Sequence, residues 1–326
     1  MRHIVFEQGT AFGDSGHWTA TPRQWLARAA VAVPILCGLA GAFYIWFWPD
    51  GASDFYQRGA DALRQSRPDV AIDQLNHAIE ADPNLEPAWR DRGTAYMAKG
   101  QPDLAIADLD HAIQLDPNDA DAYVGLGGAW DNKAEFDRAI ADLNRAIELN
   151  PRLPMAFNNR AAAYAGKGDI DRALEDYNRA LELDPTLVFA LSNRGGIYLG
   201  KEQYDKAIAD LDAALRLAPN FAAAHNNRGL AYSKLGQPDR AIVDFDEAIR
   251  LAPGAASIYL NRGQAYEAKG EPDRAIQNYD QAIKLAPRYA QAYFRRGVAL
   301  REMGQQDRAT VDLLQAKELD PRFSAP

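Results

Sequence analysis

Alanine recurs every 34 residues at two places in this chain. One series runs from Ala71 through Ala105, Ala139, Ala173, Ala207, Ala241 and Ala275 to Ala309, and the other runs in step from Ala78 to Ala316. Between each pair stands one large apolar residue: Leu75, Leu109, Leu143, Tyr177, Leu211, Phe245, Tyr279 or Leu313. Offsets of four and then three place all three on one face of a helix. Upstream, aromatic residues such as Phe55, Trp89, Tyr123 and Tyr259 precede a glycine by four positions, and a second aromatic follows by three (Tyr96, Trp130, Tyr198, Tyr266). The pattern predicts a second amphipathic helix in every period. Eight prolines keep the same interval, from Pro83 to Pro321. A unit of two short helices cannot bury its apolar faces alone, so a 34-residue period predicts a stacked solenoid.

Numbering each unit 1 to 34 from Ala52 gives the positions physical roles. Position 8 is Gly in seven units and Ala161 in the other. Small residues at 8 and 20 let the two helices approach, and large ones at 4, 11 and 24 fill the gaps. Aspartate stands at position 18 in every unit, from Asp69 to Asp307, where a negative charge suits the positive end of the second helix. Proline at position 32 ends that helix. Arginine occupies position 7 in seven units and is accompanied by aspartate at position 23 in five of them: Arg92 with Asp108, Arg160 with Asp176, Arg194 with Asp210, Arg228 with Asp244, and Arg296 with Asp312. These are expected to form ion pairs between the two helices, structural in role and weak where exposed.

An aromatic at position 4, glycine or alanine at 8, tyrosine at 11, alanine at 20, an aromatic or leucine at 24, alanine at 27 and proline at 32 together closely resemble the tetratricopeptide repeat. Trp89, Gly93, Tyr96, Ala105, Leu109, Ala112 and Pro117 fit it without a gap. Arginine at position 7 departs from the more usual leucine. The resemblance implies an all-α fold, a right-handed superhelical solenoid of eight helix-turn-helix repeats (52–85, 86–119, 120–153, 154–187, 188–221, 222–255, 256–289 and 290–323) whose inner surface binds peptides. At the ends, Asp54 and Asp61 replace the alanine or isoleucine of positions 3 and 10, and Thr310 and Lys317 replace apolar residues at 21 and 28. Such polar substitutions finish a solenoid and disfavour head-to-tail polymers.

Ahead of the repeats, Ala29 to Trp48 form a run of 20 uncharged, mostly apolar residues. As a helix it spans about 30 Å, the thickness of a bilayer core. It ends in an aromatic belt, Phe43, Tyr44, Trp46, Phe47 and Trp48. Arg23 and Arg28 precede it and Asp50 and Asp54 follow it. The expectation is a transmembrane helix over 29–48, with a flexible cytoplasmic tail over 1–28 and the repeats outside the cytoplasm, in a bacterial periplasm. A cleaved signal peptide, using Ala40-Gly41-Ala42, and a buried soluble helix are the rival readings. The 28 residues before the run oppose the first, and the lack of a 3.6-residue alternation opposes the second.

Charge and chemistry narrow the function. The net charge is −9, which disfavours nucleic acid as a partner. Cys37 is the one cysteine, so neither an internal disulfide nor a cysteine zinc cluster arises. Leu36 before it opposes lipidation. The histidines lie in different registers, and no phosphate loop or serine nucleophile motif is present. No catalytic residue, metal or cofactor is expected.

Position 6 faces the groove in the family. It reads Gln57, Asp91, Gly125, Asn159, Asn193, Asn227, Asn261, Arg295. Asparagine is a poor helix former, and an amide both donates and accepts. The four asparagines are therefore expected to form a ladder gripping an extended peptide backbone, similar to the one in the repeats of the O-linked N-acetylglucosamine transferase. Arg295, one unit after Asn261, partly resembles the carboxylate clamp of chaperone-binding members, though Asn226 and Leu230 stand where that clamp has a basic residue and asparagine. Phe189, Phe294, Lys234 and Arg301 are candidates for selectivity. The expected function is a membrane-anchored scaffold binding an extended protein or peptide segment. The alternative is a self-associating scaffold that organises a membrane complex through lateral contacts.

Overall fold

The computed structural model describes residues 51–323. The expected tail over 1–28 and membrane helix over 29–48 lie outside them. Among the described residues no helix is long and apolar enough to cross a membrane. The described chain is all-α, with sixteen helices and no strand. It divides into two compact units, residues 51–150 and 151–323.

The first unit holds α1 (Ala52–Arg64), α2 (Pro68–Ala81), α3 (Glu86–Ala98), α4 (Pro102–Leu115), α5 (Ala120–Asn132) and α6 (Phe136–Leu149). The second holds α7 (Pro154–Gly166), α8 (Ile170–Leu183), α9 (Val188–Gly200), α10 (Tyr204–Leu217), α11 (Ala222–Lys234), α12 (Pro238–Leu251), α13 (Ala256–Lys269), α14 (Pro272–Leu285), α15 (Ala290–Glu302) and α16 (Gln306–Leu319). Within each unit every odd helix pairs with the even helix after it. Successive odd helices also touch, whereas successive even helices do not. The odd helices therefore form the tighter, inner layer of each unit.

The alanines of positions 20 and 27 are fully or almost fully buried, and so is the large residue at 24. The small residue at position 8 is required by that large side chain. A Cβ on Gly59 would lie 2.6 Å from Leu75 Cγ, and one on Gly229 would lie 2.8 Å from a Phe245 ring carbon. The aspartate of position 18 falls in the first turn of every even helix. The proline of position 32 acts through its predecessor. The C-cap before it leaves the helical region in each unit, for example Asp116 at φ −132°, ψ 97°, as the clash with a proline ring dictates. At the ends, Asp54, Asp61, Thr310 and Lys317 are exposed.

The turn inside each hairpin carries a constraint that the apolar pattern does not reveal. Position 15 is left-handed throughout: Gly100, Gly168, Gly236, Gly270 and Gly304 have φ between 68° and 84°, and Ser66, Ala134 and Glu202 have φ of 54°, 59° and 60°. Glycine takes this conformation without the steric cost that an L-residue bears.

The Arg–Asp pairs form as expected, but they are not exposed. In each of the five, Nε and Nη2 of the arginine grip the two carboxylate oxygens at 2.6–2.8 Å. The carboxylates are only 4–11% exposed. The third nitrogen reaches position 25 of the preceding hairpin: Arg92 to Asn76, Arg194 to Asn178, Arg228 to Asp212, Arg296 to Asp280, at 2.5–2.8 Å. Arg262 makes the same bridge to Asp246 and donates to Asn278 on its own hairpin. One guanidinium thus ties two helices of a hairpin and that hairpin to its neighbour. Planar bidentate geometry makes arginine, and not lysine, suited to the role.

Two outcomes are expected. Arg194→Met leaves the Asp210 carboxylate buried without its partner and costs roughly 3–5 kcal/mol, whereas Arg145→Ala, on an exposed pair with Glu148, stays within about 0.5 kcal/mol; urea unfolding followed by circular dichroism reads both. Ala134→Gly relieves a left-handed alanine and raises stability by about 1 kcal/mol in the same assay.

Candidate protein-interaction face

Positions 5 and 6 lie on the odd, inner helices. In the second unit they are Asn158 and Asn159 on α7, Ser192 and Asn193 on α9, Asn226 and Asn227 on α11, Leu260 and Asn261 on α13, and Phe294 and Arg295 on α15. Asn159, Asn193 and Asn227 are buried, with Asn193 and Asn227 at 0% exposure. Asn261 keeps part of its surface, and the Arg295 side chain is 42% exposed. The asparagines are therefore not four equally solvated rungs.

Their amides take part in a local network. Asn158 Nδ2 donates to Asn159 Oδ1 at 2.9 Å, Asn226 Nδ2 to Asn227 Oδ1 at 3.4 Å, and Asn261 Nδ2 to Asn226 Oδ1 at 3.0 Å. The last bond links α13 to α11. It also answers the carboxylate-clamp resemblance: Asn226 holds Asn261, and Arg295 Nη1 lies 3.9 Å from Glu267 Oε2. Burial raises the Glu267 carboxyl above its ordinary range, and Arg295 only partly offsets this. Phe294 packs on Phe323 and Phe189 on Phe221, with ring centroids 5.2 and 5.7 Å apart.

The first unit carries a different chemistry at the same register. Arg90 on α3 donates to Asp119 Oδ2 at 2.8 Å and to Asp91 Oδ1 at 3.2 Å, with Glu86 Oε2 at 3.9 Å. Asp119 also caps α5, accepting from the backbone of Asp121 and Ala122 at 2.8 and 3.2 Å. Burial, then a hydrogen bond with Asp119, pushes Glu86 up to about 8 against the Arg90 charge. Burial alone would raise Asp119, but its bond with Glu86 and the Arg90 charge hold it below the usual carboxylate range. Burial, reinforced by Asp91, lifts the Tyr56 phenol to about 12. Burial lifts Asp131 to about 6. Sequence reasoning noted Asp91 as a register-6 residue but missed this cluster, because position 5, held by Tyr56 and Arg90, differs from unit to unit, and Asp119 stands alone where the other units carry an apolar or aromatic residue. Their adjacency appears only once α1, α3 and α5 are stacked.

Among the described residues no group of His, Cys, Asp and Glu is arranged to hold a metal ion. His77 and His111 pack on Phe55 and Trp89, with ring centroids 5.2 and 4.1 Å apart.

The raised Glu86 has a signed consequence. The native state keeps a proton there that the unfolded chain releases above about pH 4.5. Stability therefore falls as pH rises from that value toward about 8. Glu86→Gln, which mimics the protonated form, should flatten this fall; chemical denaturation at pH 5 and pH 8.5 measures it.

Tetratricopeptide repeat models match the chain over residues 154–187, 195–265, 256–289 and 278–310, and a TPR repeat model matches over 93–129 and 134–168. Together they cover more than half of it. No curated protein matches the sequence. Among solved structures, the Cut9–Hcn1 hetero-tetramer of the APC/C superposes with a TM-score of 0.71 at 20% identity, covering 76% of this chain and 49% of the other. The chain thus spans about half the length of that relative. PilF of Pseudomonas aeruginosa gives 0.56 at 25% identity, over 62% of this chain and 92% of the other. A tetratricopeptide repeat protein of Parabacteroides merdae gives 0.55 at 17%, over 76% and 98%. With the 34-residue period, the paired helices and the close packing of the small residue at position 8 against the large one at 24 already in hand, these matches settle that the chain belongs to the tetratricopeptide repeat family.

Proposed function

We propose that the protein is a membrane-anchored scaffold that captures an extended segment of another protein outside the cytoplasm, on the inner faces of its eight repeats. The observation that carries this reading is the run of polar side chains at one register of consecutive inner helices, ending in the partly exposed Asn261 and Arg295. Contact begins at those two residues, where amide and guanidinium surface is free to meet a peptide backbone or carboxylate. It extends to Asn227, Asn193 and Asn159 by displacing what covers them. Phe189, Phe294, Lys234 and Arg301 select the sequence. The apolar run over 29–48 supplies the anchor, with its flanking arginines on the cytoplasmic side.

Charge distribution adds selectivity. Residues 51–150 hold nine Lys and Arg against nineteen Asp and Glu, a net −10, whereas residues 151–323 hold 24 against 23, a net +1. A partner with a basic stretch is favoured over the first unit, with an affinity that weakens as salt rises.

Self-association is the second reading, favoured by Val311 and Leu314 on α16, which are 67% and 62% exposed. Light scattering on the full chain in detergent separates the two, since a stable oligomer without partner supports self-association. For the first reading, Asn261→Ala with Arg295→Ala should weaken capture of a partner segment about tenfold or more, one to two hydrogen bonds to charged or amide groups being at stake. Unchanged affinity in a titration would reject the face.

A further inference from the structure

In three units the residue at position 4 bonds the turn that precedes its helix. Trp89 Nε1 donates to the carbonyl of Pro83 at 2.9 Å, and Tyr293 Oη donates to that of Pro287 at 3.3 Å. Both close the joint between one unit and the next with a single N–H or O–H donor. At the equivalent place in α11 the residue is His225, and its Nε2 lies 2.9 Å from the carbonyl of Pro219. Its other nitrogen, Nδ1, lies 3.1 Å from Asp244 Oδ1 on α12. The ring is 12% exposed and the carboxylate 4%.

Both partners are acceptors, a carbonyl and a carboxylate. A neutral imidazole has one N–H and one lone pair. With the proton on Nε2, the Nδ1 lone pair faces the buried carboxylate. With the proton on Nδ1, the Nε2 lone pair faces the carbonyl. Neither tautomer fits, and the doubly protonated ring satisfies both. We propose that His225 is a proton-operated latch, whose imidazolium fastens α11 to α12 and to the preceding turn and whose deprotonation loosens that joint.

The surrounding charges act in both directions, and the carboxylates prevail. Asp244 receives His225 and Arg228 together, Arg228 Nε and Nη2 reaching its two oxygens at 2.8 and 2.6 Å. Arg228 also spans to Asp212 on α10 at 2.7 Å. Glu247, one turn beyond Asp244 on α12, adds a second negative charge toward the ring. Burial and the neighbouring Arg228 charge oppose the charged form of His225, yet the bonds to Asp244 and Pro219 outweigh them and raise the group above its ordinary value. A raised histidine contributes stability that is complete below about pH 6.5 and is lost as pH climbs through its folded value. Asn226 and Asn227 follow directly in the chain, so a loosened α11 shifts the middle of the proposed binding face.

Histidine-selective nitrogen NMR on the full chain tests the latch, with the His225 signal assigned by its disappearance in His225→Tyr. Two protons on the ring at pH 6, with loss of one at a pH above about 6.5, is the expected result. A single-proton tautomer at pH 6 overturns the proposal. The tyrosine variant, built like the joint at Tyr293, gives a second readout. The wild-type melting temperature should drop more than that of His225→Tyr between pH 6 and pH 9, the Glu86 effect being common to both. Equal drops would also overturn it.

Discussion

The guanidinium at position 7 is the interaction on which the rest of the structure depends. The apolar positions by themselves specify only that two helices pack and that hairpins stack. Alanines at positions 3, 10, 20 and 27 are smooth and offer little to fix the slide of one hairpin on the next. The bidentate Arg–Asp pair sets the two helices of a hairpin in register, and the third nitrogen sets the next hairpin against the last. Charged groups buried this deeply contribute little net stability against a well-packed apolar alternative. Their contribution is geometric, because a carboxylate in a dry site accepts only one arrangement of its partner.

That constraint is also what makes a candidate face out of a helix stack. Side chains at positions 5 and 6 come into line only if successive inner helices repeat with a fixed rotation and rise. Once they do, a polar residue at one register becomes a stripe. In the second unit the stripe is amide-rich and close to neutral, and in the first it is a carboxylate cluster gathered around Arg90. The two units therefore present two chemistries at this register.

Much of the fold was legible in the sequence because the repeat multiplies every signal. The alanines at positions 20 and 27 of each unit, the aspartate at 18 and the proline at 32 stand out against a varied background, and each is found in the role its chemistry predicts. The Arg–Asp pairs were legible as pairs but not as buried bridges. The link to position 25 alternates between asparagine and aspartate, and burial depends on the neighbouring hairpin, which spacing does not show. The left-handed turn at position 15 was obscured by Ser66, Ala134 and Glu202, which hold glycine's conformation without being glycine. For the candidate face, the register was legible and the exposure was not. Asn193 and Asn261 look equivalent in sequence, yet one is buried and the other is not, because exposure is a property of what surrounds a residue.

The central claim is that an extended segment of another protein lies along the inner helices. A photo-crosslinking residue placed at Asn261, where the register is open, tests it most directly when compared with the same residue at Val243, which is exposed elsewhere on α12. In cells the account predicts one discrete crosslinked partner from position 261 and none from 243. Equal capture from both positions, or adducts only with further copies of the same chain, would contradict it.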